Sequence, residues 1–232
     1  MATFSDPFIT VTATNASGTG TFSVPLSDVT INPMTGSGMY ILPGAINVMN
    51  GPIVIATITQ MTSFVRPQAG NLPNLISLGF TMRAGSSATT FVVDSTLFGI
   101  NPIINEAGRT SGGITITDQN NNGAAFTGNN VGGGAFNPYY NGATPGTGTA
   151  FTSVLLADAV GNGGTHTMNM AVPGGGIYTP LPNVTSMSSR WNFILTAADQ
   201  VGVTSVWEVI PAPGSISLLA FGGLAMARRS RR

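Results

Sequence analysis

The chain of 232 residues has no cysteine, no lysine and a single histidine, and only 7% of it is charged. Without cysteine there are no disulfides, no thiol nucleophile and no zinc–thiolate centre. A phosphate-binding loop of the Walker type needs its lysine and is excluded. One imidazole, His166, leaves most multi-histidine metal sites and catalytic triads short of a member. No Gly-x-Ser-x-Gly elbow or His-Glu-x-x-His helix is present. Also missing, before the last two dozen residues, is any useful stretch with helical periodicity.

Low charge does not mean disorder here, because 42% of the residues are hydrophobic and a core can be buried. Glycine (31) and proline (15) punctuate the chain. The formal net charge of zero is unevenly placed. Four of the eight arginines fall in the last five residues, so the body carries eight acids against four arginines, about −4. That balance disfavours nucleic acid or anionic lipid as a partner of the body.

Residues 1–208 read as strands. Ile9, Val11 and Ala13 alternate with Thr10, Thr12 and Thr14, and Ile76, Leu78, Phe80 and Met82 with Ser77, Gly79 and Thr81. Ile114 and Ile116 alternate with threonines, Trp191, Phe193 and Leu195 share one side, and Val203, Ser205, Trp207 and Val209 form a last strand. Thr90 to Phe98 is expected to place Phe91, Val93 and Leu97 on one side, and Ile53 to Thr59 to be covered on both faces. Turn signals separate these runs, among them Asn15-Ala16-Ser17-Gly18, Asn50-Gly51-Pro52 and Asn162-Gly163-Gly164. The expected fold class is all-β, a β-sandwich or jelly roll in one domain, followed by a short C-terminal hydrophobic helix. A solenoid would need a fixed repeat, and none is visible. The Asn-, Gly- and Thr-rich stretch 120–148 is expected to hold the longest loops.

Five features could carry chemistry. Asp118-Gln119-Asn120-Asn121-Asn122-Gly123 matches the front half of a calcium loop, with oxygens of Asp118, Asn120 and Asn122 at positions one, three and five. Its twelfth position is Asn129 rather than a glutamate, and a polar hairpin turn explains the same residues. No other cofactor is expected. His166, in line with Met168 and Met170, is expected to be a semi-buried, hydrogen-bonded ring rather than a ligand. The eight acids are isolated in sequence and read as surface charge, although a glycosidase pair could form in space. Trp191, Trp207, Tyr139, Tyr140 and Tyr178 could make a sugar platform; the tryptophans fit a core better, and Tyr139-Tyr140 is the pair expected to be exposed in a loop. Threonine-bearing strands also raise an ice-binding surface, which their irregular spacing opposes.

The last stretch, residues 209–232, reads Val-Ile-Pro-Ala-Pro, then an uncharged run from Gly214 to Ala227, then Arg228, Arg229, Ser230, Arg231 and Arg232. An apolar run closed by basic residues has the pattern of a membrane segment with its cationic end in the cytoplasm. Fourteen helical residues cover roughly 21 Å of an about 30 Å core, which suits a transient stop better than a permanent anchor. The layout resembles the PEP-CTERM sorting tail: a proline pair (Pro211, Ala212, Pro213, with alanine where the family has glutamate), an apolar helix (Gly214, Ile216, Leu218, Leu219, Phe221, Leu224, Ala227), and a topology cluster (Arg228, Arg229, Arg231, Arg232). The resemblance implies export, a brief stay in the inner membrane, processing by an exosortase, and a final place at the cell surface or in an exopolysaccharide matrix. The body also looks like the extracellular domain often found ahead of such tails, through Phe91, Ala107-Gly108-Arg109, Asp118 to Gly123 and Tyr140-Asn141-Gly142. Met1 to Asp6 resembles mature sequence, so either an export leader precedes this start or the sorting expectation fails; the first is favoured. The expected function is a non-catalytic envelope or matrix protein. The alternative is a carbohydrate-binding module or weak glycan-active domain carried by the same tail.

Overall fold

The computed structural model describes residues 3–68, 72–103 and 106–211. In chain order its strands are β1 (Thr3–Phe4), β2 (Ile9–Asn15), β3 (Gly18–Val24), β4 (Thr30–Ile31), β5 (Gly38–Ile41), β6 (Ile46–Asn50), β7 (Ile53–Arg66), β8 (Asn74–Ala84), β9 (Thr89–Ser95) and β10 (Phe98–Ile103). They continue as β11 (Glu106–Thr117), β12 (Ala124–Gly128), β13 (Phe136–Tyr140), β14 (Thr149–Ala150), β15 (Ala157–Val160), β16 (Thr165–Val172), β17 (Thr179–Leu181), β18 (Val184–Leu195) and β19 (Gln200–Pro211). Among the described residues the one helical element is a 3-10 turn at Leu26–Asp28.

Two antiparallel sheets face each other. The first runs β1-β10-β18-β9-β2-β3, with β12 and β13 also on β18. The second runs β16-β11-β19-β8-β7-β5-β4, with β17 on β11 and β6 on β7. The all-β expectation therefore holds, and the arrangement is that of a sandwich. Strand alternation dictates the core: Ile9, Val11, Phe91, Val93, Trp191, Phe193 and Leu195 point in from the first sheet, and Ile76, Leu78, Phe80, Met82, Val203 and Trp207 from the second. The rings interlock across the gap. Phe80 meets Trp191 edge-on at 5.9 Å, while Phe193 stacks on Phe91 at 5.2 Å and on Phe126 at 4.9 Å. Trp191 Nε1 donates to Ser205 Oγ at 3.0 Å, so the buried indole spans the two sheets without an unpaired donor.

Several expectations change. The Ile53–Thr59 run is a strand with neighbours on both sides, yet Ile53, Val54 and Thr59 are exposed, and a register shift opposite Val48 and Met49 leaves the consecutive Ile55 and Ala56 both buried. A bulge between Ile58 and Gln60 then flips the alternation, so that Met61, Ser63 and Val65 continue the buried side. A break after Ser95 does the same to the next run: Phe98 is buried and Leu97 only half-buried. The 120–148 stretch holds the longest interval between strands, 141–148, as expected, and it also supplies β12 and β13, with Phe126 and Phe136 in the core. Finally, β19 runs three residues past the expected boundary at 208. Val209 is fully buried, and Ile210 and Pro211 lie opposite Ala107 and Glu106. Pro211 is thus part of a central strand. The expected apolar helix and arginine cluster, from Ala212 onward, lie outside the described residues.

Truncating Trp191 to alanine removes the ring that joins both sheets and should cost about 3–5 kcal/mol. The exposed Thr14→Ala should stay within about 0.5 kcal/mol. Urea unfolding of both variants checks the contrast; equal midpoints would show that the aromatic layer is not what holds the sandwich.

Candidate functional site

The outward face of the second sheet carries an open groove of about 550 Å³. Its construction follows from strand register. Thr167 on β16 lies opposite Thr115 on β11, then Gly202 on β19 and Thr81 on β8, with Gln60 on β7. The next row is Asn169, Gly113, Thr204, Gly79, Thr62 and, on β5, Ile41. Glycine sits in the middle of both rows, so the floor is backbone and the walls are short side chains. Depth depends on those glycines. A Cβ on Gly113 would meet Asn169 Oδ1 at 2.2 Å, and one on Gly79 would meet Thr62 Oγ1 at 3.2 Å. Gly202 is different, since a Cβ there has only ordinary contacts, the nearest being Thr81 Oγ1 at 3.8 Å.

Among the described residues no charged side chain lines the groove. The polar groups are hydroxyls and amides, partly bonded to one another: Thr115 and Thr167 share a bond of 2.9 Å, and Thr81 donates to Gln60 Oε1 at 3.4 Å. Each hydroxyl keeps spare donor or acceptor capacity. Threonine methyls and the exposed Ile41 give the walls an apolar component. Such a surface can exchange hydrogen bonds with an uncharged, polyhydroxylated ligand. It has nothing with which to neutralise an anion. At one end the face closes with Arg109, whose Nε is 2.7 Å from Glu208 Oε2 and whose guanidinium lies 4.9 Å over the Tyr178 ring. The groove went unseen in the sequence because its residues come from six strands; the glycines alternating with threonines at 79/81, 113/115 and 202/204 were the available signal.

The carboxylates are engaged elsewhere. Asp94 holds Arg190 through two bonds of 2.7 and 2.9 Å on the outer face of the first sheet, Asp158 is bonded to His166, Asp199 to Thr196, and Glu106 accepts from the Val184 amide. None lines the groove. His166 is hydrogen-bonded as expected, with Nδ1 2.7 Å from Asp158 Oδ2, but its side chain is 56% exposed rather than semi-buried. The reason is position: β16 is an edge strand, and its inward side lies beyond most of the cover from the first sheet. Trp191 and Trp207 are fully buried, and Tyr139 and Tyr140 lie half-buried in β13 rather than exposed in a loop. The aromatic platform is therefore not assembled. Of the tail residues, only Pro211 is among those described; Ala212, Pro213, Gly214, Ile216, Leu218, Leu219, Phe221, Leu224, Ala227, Arg228, Arg229, Arg231 and Arg232 lie outside them.

The Asp118 loop is a turn organised by its own carboxylate. Oδ1 accepts from the amides of Asn120 (3.1 Å) and Asn121 (2.9 Å), and Oδ2 from those of Gly123 (2.8 Å) and Gly163 (2.7 Å). Asn120 turns its amide nitrogen to Ala197 O, and Asn129 is bonded to Asn192 instead of closing a coordination sphere. Four N–H groups thus engage the two oxygens of Asp118, and the loop holding Asp118, Asn120 and Asn122 is closed in this structure as a turn around that carboxylate. Among the described residues no group of three or more His, Asp or Glu side chains could hold a metal ion. Desolvation pushes the Asp118 pKa up, but the bonds from Gly163, Gly123 and Asn120 outweigh it and hold the group at about 2.

With its folded value below the unfolded value of about 3.9, the carboxylate's contribution is complete above that pH and is lost as the pH falls through about 2. Asp118→Ala should lower the melting temperature at neutral pH and flatten the loss of stability between those limits. Melting curves at stepped pH test this; parallel pH profiles for the two proteins would refute it. Adding calcium or a chelator should leave the native melting temperature unchanged.

No family model and no curated protein matches this chain. Among solved structures it is similar to the adhesin domain of Epf from Streptococcus pyogenes, at 8% identity over 89% of this chain and 59% of that one, TM-score 0.36. It is also similar to a cleaved adhesin domain of Lys-gingipain from Porphyromonas gingivalis (11%, 91% and 99%, TM-score 0.28). A xylan-binding domain from Paenibacillus barcinonensis is comparable (12%, 75% and 86%, TM-score 0.27). These similarities are too distant to carry a functional assignment, which must come from the groove and from the sequence itself.

Proposed function

We propose that the chain is a non-catalytic protein of the cell envelope or its matrix, exported and sorted through its tail, whose sandwich holds an uncharged polysaccharide in the groove. The observation that carries the binding role is the groove's chemistry: threonine, asparagine and glutamine over a glycine floor, with no charge. Sugar hydroxyls can trade water for these groups, whereas an acidic polymer would meet a body of about −4 net charge. Without an aromatic platform each sugar gains little, so useful affinity needs several sugars in line. The non-catalytic role is supported by the carboxylates, each tied to a structural partner.

Export rests on the sequence from Pro211 to Arg232, where the PEP-CTERM resemblance implies an exosortase and a transient stay in the inner membrane. Within the described residues Pro211, the first proline of the pair, is still paired in β19.

Gly202→Leu places a side chain in the groove where the backbone has room for it. It should abolish retardation in gels containing neutral polysaccharide, and the fold should keep its melting temperature to within a few degrees. Equal retardation of both proteins, or retardation only by acidic polymers, would overturn the binding role. Deleting Arg228–Arg232 should weaken retention at the inner membrane in cell fractionation, and unchanged fractionation would remove the tail as a topology signal.

A further inference from the structure

A strand at the edge of a sheet offers unpaired N–H and C=O groups, and proteins guard such edges by shortness, proline, charge or cover. Most edges here are guarded. β1, β4 and β14 have two residues each, β17 has three including Pro180, and β15 has four including Asp158. β3 is covered by β6, so closely that a Cβ on Gly20 would meet Met49 O at 2.5 Å.

β16 lacks every one of these guards. It is eight residues long, contains no proline or acid, and among the described residues pairs with β11 alone. Six of its eight residues are exposed. Its ionisable side chain, His166, is bonded to the neighbouring Asp158, which gives that carboxylate a partner at the edge. Its two faces differ in chemistry. Thr165, Thr167 and Asn169 continue the grooved outer face, while Met168 and Met170 project on the inner side, Met170 with 43% of its surface exposed.

We infer that β16 pairs with β16 of a second copy of this chain, antiparallel across a two-fold axis normal to the sheet. Such an axis keeps both outer faces on one side and sets residues of like parity opposite each other, as an isologous interface requires. Centred on Met168, the register sets Met168 against its copy, Met170 against His166 and Thr167 against Asn169; centred on Asn169, it sets Met168 against Met170, Asn169 against its copy and Thr167 against Ala171. No like charges meet. Alternate residues present both backbone groups outward, so up to about eight hydrogen bonds form. A second copy supplies an uncharged strand with matching faces, which an arbitrary partner would have to provide by coincidence. Two grooves then lie on one continuous sheet, and a polymer spanning both would gain from their linkage. Dimerisation itself does not depend on what the groove binds.

Sedimentation of the full chain across a wide concentration range, with amide hydrogen exchange of residues 165–172, tests this. The native chain should dimerise, and protection of β16 should rise with concentration. Met170→Lys, which puts a charge on the exposed edge, should weaken dimerisation at least about tenfold while polysaccharide retardation persists. Thr165→Lys, on the opposite face and outside the groove lining, serves if Met170→Lys fails to fold. A native chain that stays monomeric, or dimers that survive in both lysine variants, would overturn the inference. Protection of residues 165–172 independent of concentration would do the same, by assigning the edge to a segment of the same chain.

Discussion

Burial of Trp191 and Phe193 between the sheets is the constraint from which the rest follows. Phe80, Phe91, Phe126 and Phe136 all lie against one or both of these rings. An aromatic layer of this size removes enough apolar surface from water that the outer faces need contribute little to stability. Those faces can therefore be built from threonine, serine and glycine, residues whose packing value is small. The polar groove is compatible with a stable fold because the core lies on the other side of the same strands.

The two outer faces share this composition but not its shape. Thr10, Thr12 and Thr14 on β2 stand opposite Ser23, Thr21 and Thr19 on β3, again as strand neighbours. That side is occupied further along by the Asp94–Arg190 pair and the turn carrying Gly146, where a Cβ would meet Asp94 Oδ1 at 2.1 Å. Among the described residues no such turn covers the groove rows of the second sheet. Glycine there lowers the floor; on the first sheet it lets a turn pack down onto an ion pair.

The sandwich class and most central strands were legible because alternation survives wherever one face is buried and one is wet. Ile76 to Met82 and Trp191 to Leu195 show this directly. Legibility failed where an irregularity changed parity, at the bulge near Thr59 and the break at Thr96-Leu97, since neither leaves a composition signal. It was partial at 120–148, where the longest interval between strands was legible but glycine and asparagine hid two strands whose core contribution rests mainly on Phe126 and Phe136. The binding face was illegible for a different reason. Threonine on a strand announces a wet side, but only pairing decides which threonines and glycines become neighbours. Asp118 shows the same limit, because one sequence serves either a cation or a turn, and the Gly163 amide that bonds its carboxylate comes from forty-five residues away.

The position of β18 and β19 in the chain has a consequence of its own. These last two described strands occupy the middle of their respective sheets, β18 beside β9 and β10, β19 between β8 and β11. Earlier strands can form hairpins, such as β2 with β3 or β7 with β8, but neither layer can close until its C-terminal member arrives. Loop-closure entropy across such separations makes assembly slow. A nascent chain would thus stay open through most of its synthesis, and the aromatic layer would set only when residues 184–211 become free to insert.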